Sequence, residues 1–152
     1  MGTEGATFRK KTRELLVRLI FQMAATGEFS EEAKGAFLAD TGLYEDIFEG
    51  AAGQVDFAYL DFVFSCVREN LEEIDAEISS ASDKWAISRM GGVDLAILRV
   101  AGAELLFACE IDAGSSIDEA VRIAKKYGSE QSGAFVNGVL GGVVKKLEEE
   151  VK

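Results

Sequence analysis

The chain has no histidine, two cysteines and one tryptophan in 152 residues. Without histidine it lacks the side chain that most often serves as general base and metal ligand near neutral pH. Cys66 and Cys109 lie far apart in the apolar stretches VFSCVR and LFACEI. That setting fits reduced, buried thiols and gives neither a disulfide framework nor zinc-ligand spacing. No apolar run approaches the roughly 20 residues of a membrane span, and no apolar segment follows the N-terminus as a secretion signal would. A soluble, cytoplasmic protein is expected. A Walker-type phosphate loop, a Gly-x-Ser-x-Gly elbow and a histidine triad are missing too. Carboxylate pairs such as Glu72/Glu73 and Glu148/Glu149 read as solvated helix faces. The sequence therefore predicts no catalytic residue, no metal site and no cofactor.

Basic residues are outnumbered by acidic ones, 16 to 27. Five of them, Arg9, Lys10, Lys11, Arg13 and Arg18, nevertheless fall within the first 20 residues, which balance at +3 against −14 for the remaining 132. A basic arm on an acidic body reads as a site for an anion, and phosphate contacts from it would give salt-dependent, sequence-independent affinity. The bland alternative is a solvated first turn.

The chain is organised around the segment from Trp85 to Phe107, in which only Asp94, Arg99 and Glu104 are polar between Val93 and Cys109. At about 100° per residue those three fan out and form no wet face, so this helix should be buried on all sides. Buried charges need partners, which makes Arg99 and Glu104 structural residues paired with neighbouring helices. Gly91 and Gly92 break the turn before the helix, and Trp85 is expected to anchor the approach.

Residues 8–25 form an amphipathic helix, with Phe8, Leu15, Leu16, Leu19 and Met23 on one stripe. Arg9 and Arg13 share a face, and Glu14 with Arg18 makes an i,i+4 pair. A helix opens at Ser30, a weak one follows over about 43–52, and a long one over about 55–79 after Gly53, with Leu60, Val63, Phe64, Val67, Leu71, Ile74 and Ile78 inward. Ser79 to Asp83 is the candidate hinge. Ser116 and Glu119 have capping-box spacing, with Gly128 closing that helix. The last helix runs from near Glu130 to about Glu149, and its Gly138, Gly141 and Gly142 suggest close approach by the central helix. Period-2 alternation is missing, so the expected fold is all-α: a single domain over 1–152, about seven helices in two packed sub-bundles, about 1–80 and 81–152, around the buried central helix. Phe21, Tyr127 and Phe135 are candidates for stacking on bases, with core positions as the alternative.

Three motifs then coincide: Arg9-Lys10-Lys11-Thr12-Arg13-Glu14; Asp94-Leu95-Ala96-Ile97-Leu98-Arg99-Val100-Ala101 with Glu104-Leu105; and Ile117 to Lys125 followed by Phe135-Val136-Asn137-Gly138-Val139-Leu140. In that order and spacing the chain resembles the NusB family of transcription antitermination factors. The resemblance implies an all-helical protein that binds boxA-type single-stranded RNA together with ribosomal protein NusE. In that family the complex joins the transcription elongation complex and suppresses termination, notably in ribosomal RNA operons. It carries Arg9, Lys10 and Arg13 over as the RNA-contacting arm, with Phe21, Gln131 and Phe135 also toward RNA and Asp94 and Glu130 toward the partner protein. It also makes Arg99, Glu104 and Asn137 structural polar residues. Several positions depart from the family pattern: two arm lysines replace arginines, Phe21 replaces a tyrosine, Gln131 an acidic residue, and Gly141 an aspartate. The family includes monomers and homodimers. Two other readings stand beside it: a protein-only helical adaptor, and the RNA-binding module of an RNA cytosine methyltransferase, the latter disfavoured by a chain that ends at Lys152.

Overall fold

A computed structural model describes residues 2–48, 54–82 and 86–151. Among these residues there are eight α-helices and no strand: α1 Gly2–Thr26, α2 Glu31–Leu38, α3 Thr41–Phe48, α4 Phe57–Glu69, α5 Leu71–Ala81, α6 Gly92–Phe107, α7 Ala113–Tyr127 and α8 Ser132–Val151. The architecture is all-α, as the periodicities require.

The central helix is α6. Every residue from Ala96 to Glu104 is buried, and α1, α4, α5, α7 and α8 all pack against it. Arg99 finds its counter-charge on α5, where Nε and Nη2 each donate to Asp75 at 2.9 Å. Gly102 lets α5 approach closely: a Cβ there would stand 3.3 Å from Ile74 Cγ2. Trp85, Gly53, Asp83 and the end of the segment expected at 43–52 lie outside the described residues.

The helix expected over 55–79 is two helices, which raises the count from seven to eight. Asn70 ends α4 at φ −126°, ψ 29°. Both its backbone N–H and its side-chain amide donate to the Cys66 carbonyl, each at 3.0 Å. An Asn side chain competing for a backbone acceptor is a local alternative to helix, and α5 resumes when the Ile74 N–H bonds the Asn70 carbonyl at 2.9 Å. The apolar stripe hides the break because Ile74 and Ile78 are as buried as Val63 and Val67.

Three smaller expectations are corrected. Gly142 is indeed a close approach, but to Ala81 of α5, whose Cβ would lie 3.1 Å from an added Cβ, while Gly138 and Gly141 face open space. Helix α7 starts a turn earlier than a Ser116 cap implies: Asp112 is the N-cap and accepts from the Ser115 N–H at 3.0 Å. Cys66 is buried, but Cys109, just past the end of α6, is exposed. Helix α1 ends as expected, with Gly27 in the left-handed region at φ +78° and its N–H bonded to the Met23 carbonyl.

Candidate nucleic-acid interface

The basic arm is the first two turns of α1 whose side chains are described, and it divides by depth. Lys10 is exposed and Arg9 half-exposed, its guanidinium 5.2 Å from the centre of the Tyr59 ring and 3.5 Å from Asp56. Asp56 is itself fixed as the N-cap of α4, and its backbone N–H donates to Thr12 Oγ at 3.0 Å. The two cations stand at the lip of an open cleft of about 650 Å³ whose far wall includes Glu110, Asp112 and Asp118.

Arg13 is different. It is only 7% exposed, and its Nε and Nη2 donate to the two oxygens of Glu104 on α6 at 2.9 Å each. The Tyr59 hydroxyl and, at 2.8 Å, the Ser116 hydroxyl donate to the same carboxylate. Burial alone would lower the Arg13 pKa, but the hydrogen bonds and charge of Glu104 outweigh it and raise it. Burial, then Glu104, push the Tyr59 hydroxyl well above the ordinary tyrosine range, so it stays a donor. The expectation of three free arm cations is thus amended: Arg9 and Lys10 face outward, while Arg13 is bound below them. Glu104 is the structural residue expected; Asn137, expected to be structural as well, is exposed on α8.

The expected Glu14–Arg18 pair is not made. Arg18 turns to Asp46 of α3. Glu14 is buried and turns to α7, accepting from Arg122 Nη1 at 3.0 Å, from Lys126 Nζ at 2.8 Å and from the Tyr127 hydroxyl at 2.8 Å. Burial acts to raise its pKa, but the bonds from Lys126, Tyr127 and Arg122 hold it below the ordinary glutamate value. A carboxylate depressed in the folded state adds stability above its unfolded pKa and loses it as pH falls through the folded one. Glu14→Gln should therefore unfold well below the native chain at pH 7, and the gap in Tm should narrow at a pH below the ordinary glutamate value. A gap of equal size at both pH values would contradict the pairing.

Farther along α1, Phe21 is 43% exposed. It lies with Tyr127, Val17, Phe37, Leu43 and Val93 around a largely apolar groove of about 350 Å³. Its ring is pressed against the start of α6, where a Cβ at Gly92 would come within 2.8 Å of Phe21 Cε2. Two residues on, Asp94 joins Gln131, Ser132 and Phe135 in a neighbouring depression of about 230 Å³, also lined by Met90 and Arg89. Phe135 is half-buried against the core and Glu130 exposed beside Gln131. The structure thus brings Asp94, Gln131 and Phe135 together, and links them through Gly92, Phe21 and Tyr127 to the arm. Sequence reasoning missed Arg122 and Lys126, which share a face of α7 at i,i+4 spacing. That spacing was readable, but their partner Glu14, 108 and 112 residues away, was not. Among the described residues no group of His, Cys, Asp or Glu could hold a metal ion, and no helix is long and apolar enough to cross a membrane.

Cations, aromatics and amide groups thus meet along one seam of an all-helical bundle, the build of a small binding protein. The chain belongs to the NusB family, which it matches over residues 10–145. It is 40% identical over 142 residues to the transcription antitermination protein NusB of Clostridium botulinum (strain Kyoto / Type A2), an alignment covering 90% of this chain and 99% of that one. Among solved structures, it is similar to T. maritima NusB, with 33% identity, a TM-score of 0.67 and 91% of each chain covered. It also matches a structure of antitermination factors NusB and NusE in complex with dsRNA, at 27% identity and a TM-score of 0.74, covering 91% of this chain and 97% of that one.

Proposed function

We propose that this protein is a transcription antitermination factor. On this reading it binds boxA-type single-stranded RNA together with ribosomal protein NusE and enters the transcription elongation complex, where it helps RNA polymerase read through terminators, notably in ribosomal RNA operons. The observation that supports it most is the layering of the α1 arm, with Arg9 and Lys10 outward over a carboxylate network. Family membership across most of the chain supplies the partner class. In this reading Arg9 and Lys10 contact phosphates, while Phe21 and Phe135 offer aromatic faces to splayed bases and Gln131 offers an amide to a base edge. Asp94 and Glu130 meet the ribosomal protein, and Arg13 sets the height of the arm from beneath. No covalent chemistry is assigned, and the site of action is the cytoplasm.

A net charge of −11 works against RNA, so the partner protein should raise RNA affinity, and RNA must raise partner affinity by the same factor. The test replaces both outward cations. Arg9→Ala/Lys10→Ala should lower the slope of log affinity against log salt by about 1.4, at about 0.7 per single-strand contact. Affinity for NusE without RNA should hold. An unchanged slope would remove the arm from the RNA path.

A further inference from the structure

We propose that Arg122 and Lys126 are a second pair of phosphate-binding cations, held at the surface by the buried carboxylate of Glu14 and set beside Lys10 across the seam between α1 and α7. The inference rests on the RNA-binding reading and extends its site to a second helix.

The seam is layered. Its carboxylates lie deep, with side-chain exposures of 5% for Glu14 and 11% for Glu119. Its cations lie outside, at 36% for Arg122, 54% for Lys126 and 55% for Lys10. An approaching anion meets the positive layer first, although the charges nearly cancel when counted together. Arg122 ties the two helices into one surface. Its Nε and Nη2 donate to Glu119 Oε1 at 3.1 and 3.0 Å, its Nη1 to Glu14 at 3.0 Å, and its Nη2 also to the Lys10 carbonyl at 3.4 Å. Glu119 in turn holds Lys10 at 3.8 Å.

A guanidinium has five N–H donors and an ammonium three. Among the described residues, the bonds above leave one N–H of Arg122 and two of Lys126 without an acceptor. Those are the donors that phosphate oxygens would take. Because the side chains are already fixed, binding orders little more of them, which lowers the entropic cost of contact. Arg13, sealed beneath the surface, cannot make this contribution; the α7 pair takes the place on the surface that the arm sequence assigns to it.

The alternative is that the same ion pairs only tie α1 to α7. The two differ in salt dependence. Affinity of the full chain for a labelled single-stranded boxA-type oligoribonucleotide would be measured from about 50 to about 200 mM salt, where phosphate contacts dominate the change. Arg122→Gln/Lys126→Gln should lower the log–log slope by about 1.4, and Lys126→Gln alone by about 0.7. The charge-preserving exchange Arg122→Lys/Lys126→Arg should keep the native slope, as should Lys145→Gln on the exposed side of α8. Should the double variant unfold, the single Lys126 change decides, since that ammonium is more than half exposed. A lowered Tm with an unchanged slope would show a purely structural tie and overturn the inference. If Arg9→Ala/Lys10→Ala lowers the slope and the α7 variants do not, the inference falls and the functional reading stands. If the native chain binds no RNA even with NusE present, both fall.

Discussion

Glu104→Ala should destabilise the fold by about 3–5 kcal/mol, the range for breaking one side of a buried ion pair. The carboxylate is 2% exposed and accepts from Arg13 twice, from Tyr59 and from Ser116. Its removal leaves a guanidinium and two hydroxyls buried without an acceptor, and each such group carries its own desolvation cost. The size of the effect comes from the orphaned charge. Arg13→Met/Glu104→Leu, which removes both charges and keeps apolar volume, should therefore lose far less than Glu104→Ala. Urea unfolding of the three proteins checks this. A loss under about 1 kcal/mol for Glu104→Ala would mean the network does not hold α1 against α6.

Leu98→Ala should cost about 2–5 kcal/mol, as for other large-to-small changes in a core. Leu98 is fully buried at the middle of α6, where helices close in from every side and little room exists for the site to collapse around a void. Because α6 belongs to the cores on both sides of it, the variant should lower a single transition rather than split it. Far-UV and near-UV circular dichroism should remain coincident. Two separate transitions would mean that residues about 1–80 and 81–152 are independent units.

The sequence carried the fold well wherever an apolar pattern had one explanation. An apolar circumference from Val93 to Phe107 can only be a buried helix, and α6 is one. The stripe of Leu15, Leu16, Leu19 and Met23 faces the core for the same reason. What stayed hidden were choices between equivalent partners. Glu14 had Arg18 one turn away and Arg122 and Lys126 on a distant helix, and only packing decides among them. The spacing that put Arg9 and Arg13 on one face was correct, since both guanidinium groups lie over the Tyr59 ring, at 5.2 and 5.4 Å. Periodicity gives direction around a helix but not depth, so it could not tell the outward arginine from the sealed one. Ser116 and Glu119 show a further limit: Ser116 bonds across to Glu104 of α6, and Glu119 pairs with Arg122 one turn on in α7 and with Lys10 of α1, while Asp112 capped the helix.

The ion pairs of α1 also bear on the order in which the chain can fold during synthesis. Arg13 and Glu104 are separated by 91 residues, and Glu14 and Lys126 by 112. A nascent chain that has emerged only as far as α5 therefore displays a helix carrying one cation and one anion whose counter-charges have not yet emerged. N-terminal segments ordinarily fold first as they leave the ribosome; here α1 must wait for α6 and α7 before its polar face is satisfied. Such long-range closure slows folding relative to helical proteins with local contacts. It also makes the emergence of α6 and α7 the step at which the polar face of α1 closes.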